Sequence, residues 1–227
     1  MALPRYLLLF LFLHCCFARS AAQSSGIAIN SDPVLVNGKI YVFHLPASTE
    51  GNQYLSGTEF VTGTLTLKGI TYMGLQLNYD IYNQQLILKY KSMTGSGNRI
   101  IVSDAWMERF SMNSKDFIVI RKNGVKTIYQ VFGDGKYQVL YHWTRKLELS
   151  HFHGATNSVF SKPRRVMYLF HDNSIFEFRN NKGFIALFDK GEGEKIRSYL
   201  QRNGISLREA ADPTIAELVS FANASAR

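Results

Sequence analysis

The sequence predicts a mainly β, antiparallel fold, and three observations carry that prediction. Apolar residues recur at every second position through most of residues 34–188, the spacing that places alternate side chains on one face of a strand. Pairs rich in Gly, Asn and Asp interrupt this alternation about every 8 to 12 residues, as turns of a meander do. Aromatic residues make up 13% of the 227 positions and charged residues only 19%, which excludes a disordered chain and supplies a core. The expected architecture is an antiparallel meander, closed as a barrel or folded as a sandwich, followed by a C-terminal helical pair.

The chain opens on an address rather than on structure. Residues 1–22 read as a secretory signal peptide, with Arg5, an apolar run over 6–13, and small residues at Ser20, Ala21 and Ala22. That run is shorter than the roughly 18 to 20 apolar residues a spanning helix needs. A retained N-terminal anchor is the alternative. Cys15 and Cys16 are the only cysteines and leave with the signal, so a disulfide framework and a cysteine nucleophile are both excluded. The formal charge falls from +9 to +7 on cleavage. Residues 23–33 are small and polar and read as a flexible lead-in.

Within the β region (34–188), Asn37 and Gly38 between apolar runs at 34–36 and 39–45 predict a hairpin. Residues 46–59 read as a loop. Val61, Gly63, Leu65 and Leu67 then share one strand face and Thr62, Thr64 and Thr66 the other. Lys68 and Gly69 turn the chain, and Met73, Leu75, Leu77 and Tyr79 resume the inward alternation. A turn at 80–83 leads to a strand at 85–90, a loop at 93–98 and a strand at 99–103. Residues 104–110 are ambiguous. Asn123 and Gly124 join strands at 117–121 and 125–132 in a second hairpin. Strands follow at 136–143 and 146–152, then a loop at 154–163, then short strands at 166–170, 174–178 and 184–188.

After Phe188 the period changes to that of a helix. Ile196, Tyr199 and Leu200 share one face, and Asn203 and Gly204 form a stop. Ser206 and Glu209 have capping-box spacing. Asp212 and Pro213 read as N-cap and first residue of a last helix, with Ile215, Leu218, Val219 and Ala222 as its apolar face. Neither helix is long enough to be stable alone, so residues 189–227 are expected to dock on the sheet, a mobile tail that binds a partner being the alternative.

Charge is unevenly placed. Residues 115–165 hold ten Lys or Arg against Asp116, Asp134 and Glu148, while the flanking segments balance. Arg121, Lys126, Lys136, Arg145 and Lys146 fall at or near turns, where they could gather at one end of the meander and meet an anionic partner. An anionic glycan, a lipid head group or another envelope protein fits an exported basic chain, and nucleic acid fits it least. Solvated strand edges protected by lysine are the plainer alternative.

No set of residues predicts catalysis, a cofactor or a metal. His151 and His153 point the same way on a strand, with His142 and His171 as further candidates, yet histidines among aromatics more often pack than ligate. Gly95, Ser96 and Gly97 lack the lysine and following helix of a phosphate loop. Asp172 sits in a turn and Glu177 in an outward strand position, which leaves acid–base catalysis unsupported. The aromatics, among them Tyr129, Tyr141, Trp143, Tyr168 and Phe170, suit a two-layer core, with a minority on one exposed face able to bind. Asn223, Ala224 and Ser225 form a glycosylation sequon close to the terminus.

The run at 63–72, continued by 77–83 and 85–88, resembles a turn-and-strand pattern of uncharacterised exported β-rich proteins of Gram-negative bacteria, which also end in a Lys/Arg-rich helix like 195–203. The resemblance covers most of residues 57–222 and departs at Lys68, where an acidic residue is usual. It implies an envelope location and transfers no functional residue. The resulting expectation is an exported, non-catalytic binding or structural protein. The alternatives are a lipocalin-like barrel holding an apolar ligand and a hydrolase with an unrecognised site.

Overall fold

The computed structural model describes residues 32–225 apart from 47, 93, 153 and 154, so the signal segment and most of the lead-in lie outside the described residues. The first half comprises α1 (Pro33–Val36), β1 (Lys39–Ile40), β2 (Thr49–Glu50), β3 (Val61–Leu67), β4 (Ile70–Asp80), β5 (Gln85–Lys91), β6 (Gly97–Ile101) and β7 (Met107–Met112). Next come β8 (Lys115–Lys122), β9 (Val125–Phe132), β10 (Gln138–Thr144), β11 (Leu147–Phe152), β12 (Ala155–Phe160), β13 (Arg164–His171) and β14 (Ser174–Phe178). Three helices close the chain: α2 (Asn181–Ile185), α3 (Lys190–Arg202) and α4 (Asp212–Ser225).

The main sheet has 11 strands, all antiparallel, in the order β1-β6-β5-β4-β3-β7-β8-β9-β10-β13-β14. A small sheet, β11-β12-β2, stands beside it, with β12 and β2 parallel. The main sheet is an open meander, with β1 and β14 as its edges, and it rolls over on itself. The turn after β4 reaches strands far away in the sheet order: Gln84 Nε2 donates to the Trp143 carbonyl at 2.8 Å, and Lys126 Nζ donates to the Gln84 carbonyl at 3.0 Å. Leu65, Leu77, Leu86 and Leu88 fill the space inside the roll with Tyr79, Phe110, Phe117 and Ile128. Tyr79 meets both phenyl rings edge-on at 5.6 and 5.5 Å, while Phe110 and Phe117 stack at 4.5 Å.

A second core lies between α2–α4 and the strands they cover. Phe132, Val139, Tyr141, Met167, Leu169 and Phe178 form its floor, and Phe184, Ile196, Leu200, Ile215, Leu218 and Val219 pack onto it. The apolar faces expected for the last two helices are thus the faces that bury. Gly204 ends α3 at φ 60°, with the Ile205 N–H donating to the Leu200 carbonyl at 2.9 Å.

Several local expectations are corrected. Residues 34–36 form a helical turn capped by Asp32 rather than a strand, so Asn37 and Gly38 make no hairpin. Gly38 is required by proximity instead, since a Cβ there would stand 2.2 Å from the Ile101 carbonyl oxygen. Met73 is 66% exposed rather than inward. Gly74, at φ 71°, forms a bulge in which Met73 and Gly74 together oppose Thr64, and the extra residue reverses the alternation. Residues 155–160, expected in a loop, form β12, which pairs with β11. Residues 184–188 are not a strand. Asn180 caps α2 by accepting from the Gly183 N–H at 2.9 Å, and Phe184 turns into the second core. Ser206 starts a single turn rather than a capped helix.

Two substitutions test this architecture. Leu218→Asp should lower stability by about 3–5 kcal/mol, because it leaves an unpaired charge in a packed interface. A denaturant titration reads the loss, and an unchanged midpoint would show that α4 does not dock. Gly74→Ala should cost about 1–2 kcal/mol, the penalty of a side chain in left-handed backbone, read as a drop in melting temperature.

Candidate functional site

The basic residues are brought to one end of the roll, with one exception. Arg121 and Lys126 are cross-strand neighbours on β8 and β9 and converge on one residue, Asp104. Lys126 Nζ pairs with Asp104 Oδ1 at 2.6 Å, and Arg121 donates to the carbonyls of Asp104 and, at 2.8 Å, Met107. Arg145, at the end of β10, donates to the Asn52 carbonyl, and burial pulls its guanidinium pKa down. Lys146 beside it is exposed. Lys136 lies at the opposite end, 3.6 Å from Glu192. Arg121, Lys126 and Arg145 therefore hold the rolled end closed. Carbonyl acceptors of this kind leave no mark in a charge pattern.

A polar chain built on the buried Gln130 fastens α4 to the sheet. Trp143 Nε1 donates to Gln130 Oε1 at 2.8 Å, and Gln130 Nε2 donates to Asp212 Oδ2 at 2.8 Å. Lys115 pairs with the same carboxylate. Asp212, expected as the N-cap, is the first residue of α4, and its side chain reaches the sheet instead. Arg165 caps the carbonyls of Arg208 and Ala210 at 3.0 and 3.1 Å and lies 4.5 Å over the Tyr141 ring. The Tyr141 hydroxyl is buried with no hydrogen-bond partner among the described residues, and burial pushes its pKa up to about 12. Asn223 of the sequon accepts from the Tyr137 N–H and donates to the Tyr137 carbonyl, a clamp between α4 and the turn into β10.

The histidines do not assemble. His142 and His171 stand toward opposite ends of the β10–β13 ladder. His142 Nδ1 lies 3.2 Å from the Ile128 carbonyl, and His171 stacks on Phe176 at 5.0 Å. His153 and the His151 side chain lie outside the described residues. Among the described residues no three His, Cys, Asp or Glu gather as metal ligands. Glu177 bonds Arg179 at 3.0 Å.

The sequence placed a minority of aromatics on one face without saying which; the structure fixes that face and adds a groove. The helices cover one side of β9, β10, β13 and β14. By strand alternation and register, Ile118, Tyr129, Leu140, Val166, Tyr168 and Phe170 stand on the other side, Tyr129 and Leu140 buried there and the rest half-exposed. Tyr129 meets Tyr168 edge-on at 5.6 Å and His142 at 5.8 Å. Burial raises the pKa of both phenols. A groove of about 460 Å³ continues this face toward the β9–β10 turn, where Arg109, Asp116, Asp134 and Gln138 surround Ile118 and Val131. Alternation marks these residues as co-facial in the sequence. Which face the helices would take is not marked.

Fold and site together define a mainly β protein: an open 11-strand antiparallel meander with C-terminal helices on one side and an aromatic face on the other. Comparison with protein-family models, with curated proteins and with solved structures finds no match.

Tyr141→Phe should stabilise the fold by about 1 kcal/mol, because it removes a buried hydroxyl that lacks a partner. Folding raises the Tyr141 pKa from 10 to about 12, so its protonated form favours the native state. That contribution is complete below pH 10 and is lost between pH 10 and about 12. Denaturation curves across that window should fall less steeply for Tyr141→Phe than for the parent.

Proposed function

We propose that this is an exported, non-catalytic protein of the cell envelope or secreted fraction that works by binding a partner. The periplasm, the periphery of the outer membrane and the exterior all suit it. The observation that carries the reading is the aromatic face of β8, β9, β10 and β13, which bears Tyr129, Tyr168 and Phe170 opposite the helix-covered side. Tyr129 and Leu140 are buried within this face, while Ile118, Val166, Tyr168 and Phe170 stay half-exposed and give a partner an aromatic edge to meet. Side chains of catalytic type serve structure instead: Asp80 accepts four hydrogen bonds in a turn, and His142 leans on a carbonyl. The packed interior of the roll favours an outer-face partner over a ligand held inside.

A second reading has an observation of its own. Lys122, Lys146, Lys162 and Arg164 are exposed near the stapled end, and none makes an ion pair among the described residues. An anionic head group or acidic glycan suits that end.

Mass spectrometry of the native protein should find a mature N-terminus near Gln23; intact Met1 would remove the export reading. Binding to phosphatidylglycerol vesicles should weaken as salt rises, because the Debye length shrinks from about 10 Å at 0.1 M to about 3 Å at 1 M. Lys122→Glu with Lys146→Glu should abolish it. Binding unchanged in that variant would make these charges a solvated surface.

A further inference from the structure

We infer that the groove at the β9–β10 end of the aromatic face binds a neutral oligosaccharide, an inference that rests on the binding reading above. Four planar polar side chains, Arg109, Asp116, Asp134 and Gln138, line this groove. None of them makes a side-chain hydrogen bond or ion pair with another described residue. Lys115, Arg121, Lys126, Arg145 and Arg165, by contrast, bond within the fold. The groove thus sets four free polar side chains around one apolar floor.

The chemistry of those groups selects a polyol. A carboxylate, an amide and a guanidinium each present paired donors or acceptors in one plane, which suits the adjacent hydroxyls of a sugar ring. The floor between them is apolar, made by Ile118 and Val131. It runs into aromatic ground, because Gln138 pairs with Phe170 and Leu140 with Tyr168 across β10 and β13. Rings and aliphatic groups of this kind accept the C–H faces of a pyranose. A volume of about 460 Å³ lies within the range of small-ligand sites.

Charge decides between neutral and acidic sugars. One guanidinium and two carboxylates leave the groove with a formal charge of −1 inside a chain of +9. An acidic glycan would meet repulsion here and attraction at the opposite, lysine-bearing end. A neutral chain meets neither.

Calorimetric titration of the mature full-length protein tests this. The probes are the hexasaccharides of maltose, cellulose, xylan and N-acetylchitin, together with an acidic oligogalacturonate. At least one neutral probe should bind, with affinity unchanged at 1 M salt. Asp116→Ala with Gln138→Ala should weaken it at least about tenfold at an unaltered melting temperature, through lost hydrogen bonds. Lys122→Glu with Lys146→Glu should leave it intact. Failure of every neutral probe, or binding that survives the Asp116→Ala, Gln138→Ala variant, overturns the inference. Salt-sensitive binding of the acidic probe alone also overturns it while leaving the protein a binding protein. Silence of all the probes and of anionic vesicles would remove the broader reading as well.

Discussion

A single buried carboxylate organises the rolled sheet. Asp80 ends β4 with no solvent exposure, and an ionised group in that position is tolerable only if donors replace its water. Four do so: the Tyr41 hydroxyl at 3.0 Å, the backbone N–H groups of Tyr82 and Asn83 at 3.0 and 2.8 Å, and Asn83 Nδ2 at 2.8 Å. Gln53 in turn donates to the Tyr41 hydroxyl, which draws the 41–60 segment onto the outer side of β5. The turn so built places Gln84 where it can bond the Trp143 carbonyl and receive Lys126. Charge-assisted bonds of this sort are stronger than neutral ones. They convert a long flat meander into a closed core with an end.

The second dependency follows from the first. Once the roll fixes one side of β9 and β10, Gln130 and Trp143 point inward, and Asp212 of α4 completes their hydrogen bonds. The helices then have a defined seat on Phe132, Val139, Met167 and Leu169. Seating them on that side commits Tyr129, Tyr168 and Phe170 to the other. The aromatic face and its groove are consequences of where the buried polar groups found partners. The basic residues belong to the same economy of contacts, for Arg121, Lys126 and Arg145 serve carbonyls of neighbouring loops before any external partner.

Some elements were legible because their signals are local. Asn123 and Gly124 both take positive φ, at 52° and 79°, and that requirement is written in the residue types themselves. The apolar stripes of Ile196 with Leu200, and of Ile215 with Leu218 and Val219, follow from the helical repeat. The hairpin expected at Asn37 and Gly38 used the same signal and failed. The preceding Asp32 caps a helical turn and bonds Tyr72, 40 residues away, at 2.7 Å. A distant partner overrode a local preference. Residues 184–188 failed for a similar reason: a run rich in Phe and Leu suits a strand or a buried helix equally, and the seat under α3 chose the helix.

The sequence by itself determined the mainly β class, most strand positions, the two terminal helices and their apolar faces, because periodicity and turn chemistry are properties of neighbours along the chain. Only the tertiary structure decided that the sheet would roll, that β12 would find β11, and which side of the sheet the helices would cover. It also decided which charges would be spent inside. Those outcomes depend on groups tens of residues apart, such as Gln84 with Trp143 and Lys115 with Asp212. Pairings across such distances are set by packing and by the need to satisfy buried polar atoms, and no short window of sequence records them.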